Sequence, residues 1–143
     1  MDRNLISLST LDEFNSETIG QDILRYISLP SFLGHERDTL LYFIGRNLAR
    51  KIHIGSFDDV IYLFKKFRWG NLELIKDKKN HMILHLMSDD IVKRMQASIE
   101  VDFRLEAGFI AEAMQNVTGR PAECTETVNE RLFRVEYKLY FTD

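Results

Sequence analysis

The chain of 143 residues contains one cysteine, Cys124, and two prolines. A single cysteine cannot close an intramolecular disulfide or anchor a cysteine-rich zinc site. No apolar run approaches the roughly 20 residues that a membrane span needs. The opening segment, MDRNLISLSTLDEF, is too polar and too interrupted for a secretory signal. The sequon Asn116-Val117-Thr118 therefore carries no weight, and a cytoplasmic location is expected. Basic charge is not in excess: 19 Lys and Arg stand against 22 Asp and Glu, a net charge of −3. That balance argues against a nucleic-acid partner. The seven glycines are scattered, so there is no phosphate-cradling loop. A Gly-x-Ser-x-Gly nucleophile elbow is also missing, as are low-complexity segments and internal repeats.

What is present is the composition of a globular chain, 45% apolar and 29% charged, long enough for one domain over residues 1–143 with a core of its own. The first half reads as helical. Ile19, Ile23, Tyr26 and Ile27 recur at helical spacing, and Pro30 is expected to stop that helix. Ser28 to Gly34, SLPSFLG, reads as a turn-rich connector. A second helix is predicted over about Glu36 to Lys51, with Leu40, Leu41, Ile44, Leu48 and Ile52 as its apolar stripe. Gly45 and Ala49 lie four apart on nearly one side, where another element can come close to the axis. A third helix follows the N-cap Ser56. Asp58 and Asp59 sit in its first turn, Phe57, Ile61, Phe64 and Phe67 form its apolar face, and Gly70 ends it.

The second half opens with two strands, NLELIKD and HMILHLM, that read as a hairpin. Ile91, Met95 and Ile99 then suggest a short helix. A longer helix is predicted over about Asp102 to Val117, closed by Gly119. Two more strands end the chain: AECTETV and LFRVEYKLYF, the latter with Phe133, Val135, Tyr137, Leu139 and Phe141 on one face. The order implies an α+β fold. Helices pack on one side of a twisted antiparallel sheet of about four strands, with the long helix between the two hairpins.

In that long helix Phe103, Ala107, Ile110, Met114 and Val117 form a continuous stripe that should lie on the sheet. Leu105 and Phe109 point the other way, so a second layer is expected over the helix, from the N-terminal helices or another subunit. Ala107, Gly108 and Ala111 would let that layer approach closely.

Three stretches carry a family resemblance: GRNLARKI (Gly45 to Ile52), FRWGNLEL (Phe67 to Leu74) and LEAGFIAEAMQ (Leu105 to Gln115). With SLPSFLG before them, they resemble the small bacterial family typified by the YslB protein. That family lies within the superfamily of four-vinyl-reductase-like ligand-binding domains and vesicle-tethering TRAPP subunits. More distant relatives are haem-binding nitric-oxide sensors. The resemblance implies an α+β fold with a twisted antiparallel sheet, often a dimer, and no established reaction.

The chemistries of those relatives map poorly onto this sequence. TRAPP subunits can carry an acyl chain on a cysteine, but Cys124 reads as a small core residue. His35 and His53 sit in no haem motif. His81 and His85 lie four apart on a strand, roughly 13 Å at about 3.3 Å per residue, too far to share a metal. Asp58-Asp59 and Asp89-Asp90 read as helix-start charges. Arg46, Arg50, Lys51, Lys65, Lys66 and Arg68 read as helix ends and solvated faces, with a patch for an anionic partner as the alternative. Glu112 lies among apolar neighbours and reads as a pocket group or an interface ion pair. The expected function is a non-enzymatic adaptor or regulatory module, a homodimer that also contacts an unknown protein partner, with no catalytic residue, metal or cofactor. The alternative is a carrier or sensor for a small hydrophobic ligand or lipid. Its pocket candidates are Ala107, Gly108, Ala111, Glu112, Met114 and Met95, with Met82 and Met87 as adaptable linings.

Overall fold

The computed structural model describes residues 6–13, 17–97 and 99–143. Residues 1–5 and 14 of the opening segment lie outside the described residues. Among the described residues, seven α-helices and four strands follow in order: α1 (Leu8–Glu13), α2 (Ile19–Ile23), α3 (Leu29–Leu33), α4 (Arg37–Arg50), α5 (Phe57–Lys66), β1 (Asn71–Asp77), β2 (His81–Met87), α6 (Asp89–Gln96), α7 (Arg104–Thr118), β3 (Ala122–Asn129) and β4 (Arg134–Phe141). Among the described residues no helix is long and apolar enough to cross a membrane.

The sheet is open and antiparallel, in the order β1-β2-β4-β3. Both predicted hairpins are present, and β2 pairs with β4 to join them. Alternation decides the inner face: Met82, Leu84, Leu86, Val135, Tyr137, Leu139, Ala122 and Cys124 are all buried. The stripe of α7 is likewise inward, with Phe103, Ala107, Ile110 and Met114 buried. The layer over α7 is the chain's own helices. Phe109 stands in an aromatic cluster with Phe64, Phe67 and Trp69 at centroid distances of 5.3–6.0 Å, within the range of favourable edge contacts. On its other flank α7 packs against α4.

Several sequence expectations are corrected here. Pro30 does not stop the first helix. Residues Leu24–Ser28 form a π-helical turn, in which the Leu29 amide donates to the Leu24 carbonyl, and α3 continues beyond it. Proline lacks an amide donor and its ring crowds the preceding turn; the wider π turn absorbs both defects. SLPSFLG is therefore helical up to Leu33, and Gly34, at φ +65°, breaks the path. The buried side of α4 is also rotated from the expected stripe. It comprises Leu41, Tyr42, Gly45, Arg46 and Ala49, whereas Leu40 and Ile44 face outward. Phe133 precedes β4 in a left-handed turn at φ +50°. The short sixth helix ends at Gln96, so Ile99 lies beyond it.

Candidate functional site

The densest arrangement of family-motif residues lies where α4, α7 and β3 meet. The axes of α4 and α7 come together where each helix carries a glycine against the other's backbone. A Cβ on Gly45 would strike the Leu105 carbonyl and lie 2.8 Å from the Phe109 amide nitrogen. A Cβ on Gly108 would strike the Tyr42 carbonyl oxygen and lie 2.8 Å from its carbonyl carbon. Each helix thus occupies the groove that the other's small residues leave open.

That approach carries Arg46 over α7 to the edge strand β3. Its Nε donates to Glu112 Oε1 at 3.1 Å and its Nη2 to Gln115 Oε1 at 3.1 Å. Its Nη1 donates to the Ala122 carbonyl at 2.9 Å and to Glu123 Oε1 at 3.1 Å. Arg50 Nε pairs with the same Glu112 oxygen at 3.2 Å. Tyr42 donates its hydroxyl hydrogen to Glu123 and accepts the Cys124 amide at 3.1 Å. At Ala122 and Cys124 the edge of β3 is thereby covered by side chains of α4, which blunts that end as a template for strand pairing. Burial and the hydrogen bond to Glu123 push the Tyr42 phenol up to about 12. Burial works against the charge on Arg46, but Tyr42, Glu123 and Glu112 outweigh it and hold the guanidinium protonated.

A second set of ion pairs ties residues 17–33, hereafter the arm, to the rest of the chain. Arg25, in the π turn, grips Glu106 with both terminal nitrogens at 2.6 Å and reaches Asp102 Oδ1 at 3.3 Å. Arg94 Nε pairs with Asp22 at 3.1 Å, and Arg68 pairs with Glu17 at 2.6 Å. The Tyr26 ring lies beneath both Arg25 and Arg94, at 5.1 and 5.9 Å. No arm residue belongs to the main hydrophobic cluster. Burial raises the Asp102 carboxyl, with Arg25 opposing it, and raises the Glu126 carboxyl, with Arg104 opposing it.

Five of the six pocket candidates stand on α7, and the sixth, Met95, is on α6. Ala107 and Ala111 are fully buried, and Gly108 faces Tyr42. Met114 is core, and Met95 packs on the core from α6. Glu112 is one arm of the Arg46 network. None of the six lines the open concavity of about 530 Å³ between Lys65, Arg68, Gly70, Met87, Asp90 and Lys93. Met82 is buried in the core, whereas Met87 is exposed at the rim of that concavity.

The basic residues also divide differently than the sequence reading has them. Arg46 is buried and is not part of a solvated face. Arg68 is engaged by Glu17 and Asp90. His81 and His85 are on β2, and His85 meets Glu136 across the sheet at 3.0 Å. Among the described residues no group of three or more His, Cys, Asp or Glu could hold a metal ion. Cys124 is buried, and burial followed by the Glu126 charge raises its thiol well above the usual range. Sequence reading missed Tyr42, Gln115 and Glu123 as partners of Arg46. The one available signal was Glu112, a lone acid on an apolar side, which implies a buried cation nearby.

Three comparisons agree with this architecture. A solved vinyl-4-reductase family protein from Methanocaldococcus jannaschii superimposes with a TM-score of 0.59, covering 99% of this chain and 100% of its own, at 15% identity. The Bacillus subtilis protein YslB is 33% identical over 129 residues, 90% of this chain and 87% of its own length. A second Methanocaldococcus jannaschii protein, MJ1642, is 22% identical over 73% of this chain and 64% of its own length. The model of the family described as "Protein of unknown function (DUF2507)" matches residues 18–140. The chain belongs to the DUF2507 family, shares its ancestry with YslB, and has the fold of the vinyl-4-reductase family protein.

Proposed function

We propose that the chain is a non-enzymatic cytoplasmic adaptor or regulatory module that acts through protein contacts as a homodimer. The observation that carries this reading is the outward face of α4. Leu40, Phe43 and Ile44 are 40, 57 and 44% exposed on the outermost helical layer, an apolar face of the kind that marks a protein contact. The packing inside supports the same reading. Gly108 of α7 is met by α4 backbone, and the one thiol is buried with its pKa raised, which suits a core group and not a nucleophile. The word reductase belongs to the structural neighbour's name, and at 15% identity the likeness is one of fold.

Native mass spectrometry of the purified chain tests the reading. A ligand-free dimer, unchanged in thermal stability by fatty acids or aromatic compounds, is the expected result. A monomer carrying a stoichiometric lipid would replace the adaptor reading with that of a hydrophobic-ligand carrier. Capture from native cells on the immobilised chain then identifies the partner protein.

A further inference from the structure

The outward face of α4 has a symmetry of its own. At 100° per residue, Leu40, Phe43, Ile44 and Asn47 fall within an arc of about 100° on α4, with Glu36 and Lys51 as the caps at its two ends. All six are exposed. The order along the face is acid, three apolar side chains, amide, base. Arg37, Arg46 and Arg50 are engaged elsewhere, with Glu100, Glu112 and Glu123. Glu36 and Lys51 make no ion pair among the described residues.

We infer that a second copy of this chain covers this face, with the two α4 helices antiparallel across a two-fold axis near Phe43 and Ile44. This rests on the homodimer reading above and assigns its surface and geometry. An isologous contact requires a self-complementary patch, and reversing this one about its midpoint sets Phe43 against the partner copy's Ile44. The same reversal sets Glu36 against Lys51 and Lys51 against Glu36, so one symmetric contact pairs both free charges. A parallel arrangement would set like charges together at both ends.

The area is suitable. Leu40, Phe43 and Ile44 at these exposures leave on the order of 250 Å² apolar, about a third of the roughly 800 Å² each partner of a stable interface buries. A polar rim around such a core supplies the remainder. Glu36 to Lys51 spans about 22 Å at 1.5 Å per residue, enough for a helix–helix contact of that size.

The test is the mass of the full chain by light scattering and native mass spectrometry over a dilution series, for wild type and three variants. All three change exposed side chains, and circular dichroism checks that each is folded. Wild type is expected as a dimer and Phe43→Glu as a folded monomer. Glu36→Lys sets lysine against lysine twice and should weaken the dimer about tenfold. The double variant Glu36→Lys/Lys51→Glu restores opposite charges and should recover it. A dimer that survives Phe43→Glu, or a double variant no tighter than the single one, overturns the α4 interface while leaving the homodimer reading standing. A wild-type chain that stays monomeric at all concentrations overturns both. A wild-type monomer that captures a different protein through Phe43 overturns the second-copy assignment but keeps the adaptor reading.

Discussion

Gly45 of α4 and Gly108 of α7 form a reciprocal crossing in which each lies against the other helix's backbone. Backbone cannot retreat as a flexible side chain can. Gly108→Ala, and Gly45→Ala separately, should therefore each cost about 3 kcal/mol or more, the upper end of overpacking penalties. Gly20→Ala is the control. It lies within α2, and a Cβ there would meet nothing within 4 Å, so the exchange should gain about 0.5–1 kcal/mol. Urea midpoints of the three variants check the contrast, and a tolerated Gly108→Ala would mean that the helices stand further apart.

That crossing also marks how far the sequence could be read. Gly45-x-x-x-Ala49 and Ala107-Gly108 announce two close approaches, but one chain cannot say that they are the same approach seen from both sides. Strand β4 was legible because Val135, Tyr137 and Leu139 alternate with charged residues, and α7 because its stripe runs unbroken over four turns. The stripe on α4 misleads for a physical reason. The helix buries the side that carries Gly45 and Ala49, where backbone can meet backbone, and leaves Leu40 and Ile44 outside. Pro30 misleads because a π turn is invisible to a 3.6-residue period. The Arg46 network assembles residues 42 to 123, and such long-range pairing has no local signature.

Arg46 holds carboxylates, an amide and a main-chain carbonyl through a planar fork. Arg46→Met should destabilise the chain by about 3 kcal/mol, because Glu112 and the Ala122 carbonyl lose a buried partner. Arg46→Lys should recover less than half of that, since an ammonium cannot reproduce the fork. A double-mutant cycle with Glu112→Gln measures the coupling, expected above about 1 kcal/mol. Additive effects would remove Arg46 from its central role.

Cys124 should react slowly with a thiol reagent at neutral pH. Its side chain is buried and its pKa is raised by burial and by Glu126, so little thiolate forms and little of it is reachable. Labelling should become fast in denaturant. Equal rates in the two conditions would show that the inner face of β3 is open.

The carboxyls of Asp102 and Glu126 are raised in the folded chain. A raised carboxyl binds its proton more tightly folded than unfolded. Its stabilising contribution is therefore complete below the unfolded value near 4 and is lost as pH rises through the folded value. Glu126→Gln removes one such group. The stability of wild type relative to this variant should fall as pH is raised from about 4 to about 6, as read by denaturant titration at each pH. A difference that grows instead would assign Glu126 a pKa lowered by Arg104.

The arm, residues 17–33, is fastened by Arg25, Arg94 and Arg68 and contributes nothing to the main apolar cluster. The body thus combines an apolar core with ion pairs of its own, whereas the arm is joined to it through ion pairs and the buried Tyr26 ring. The arm's amides are expected to exchange with deuterium as one cooperative unit ahead of the body, and the exposed Arg68–Glu17 pair is the fastening that salt weakens most. The body, which keeps its apolar core when the arm's pairs open, should exchange later, so that one polypeptide carries two distinct stabilities.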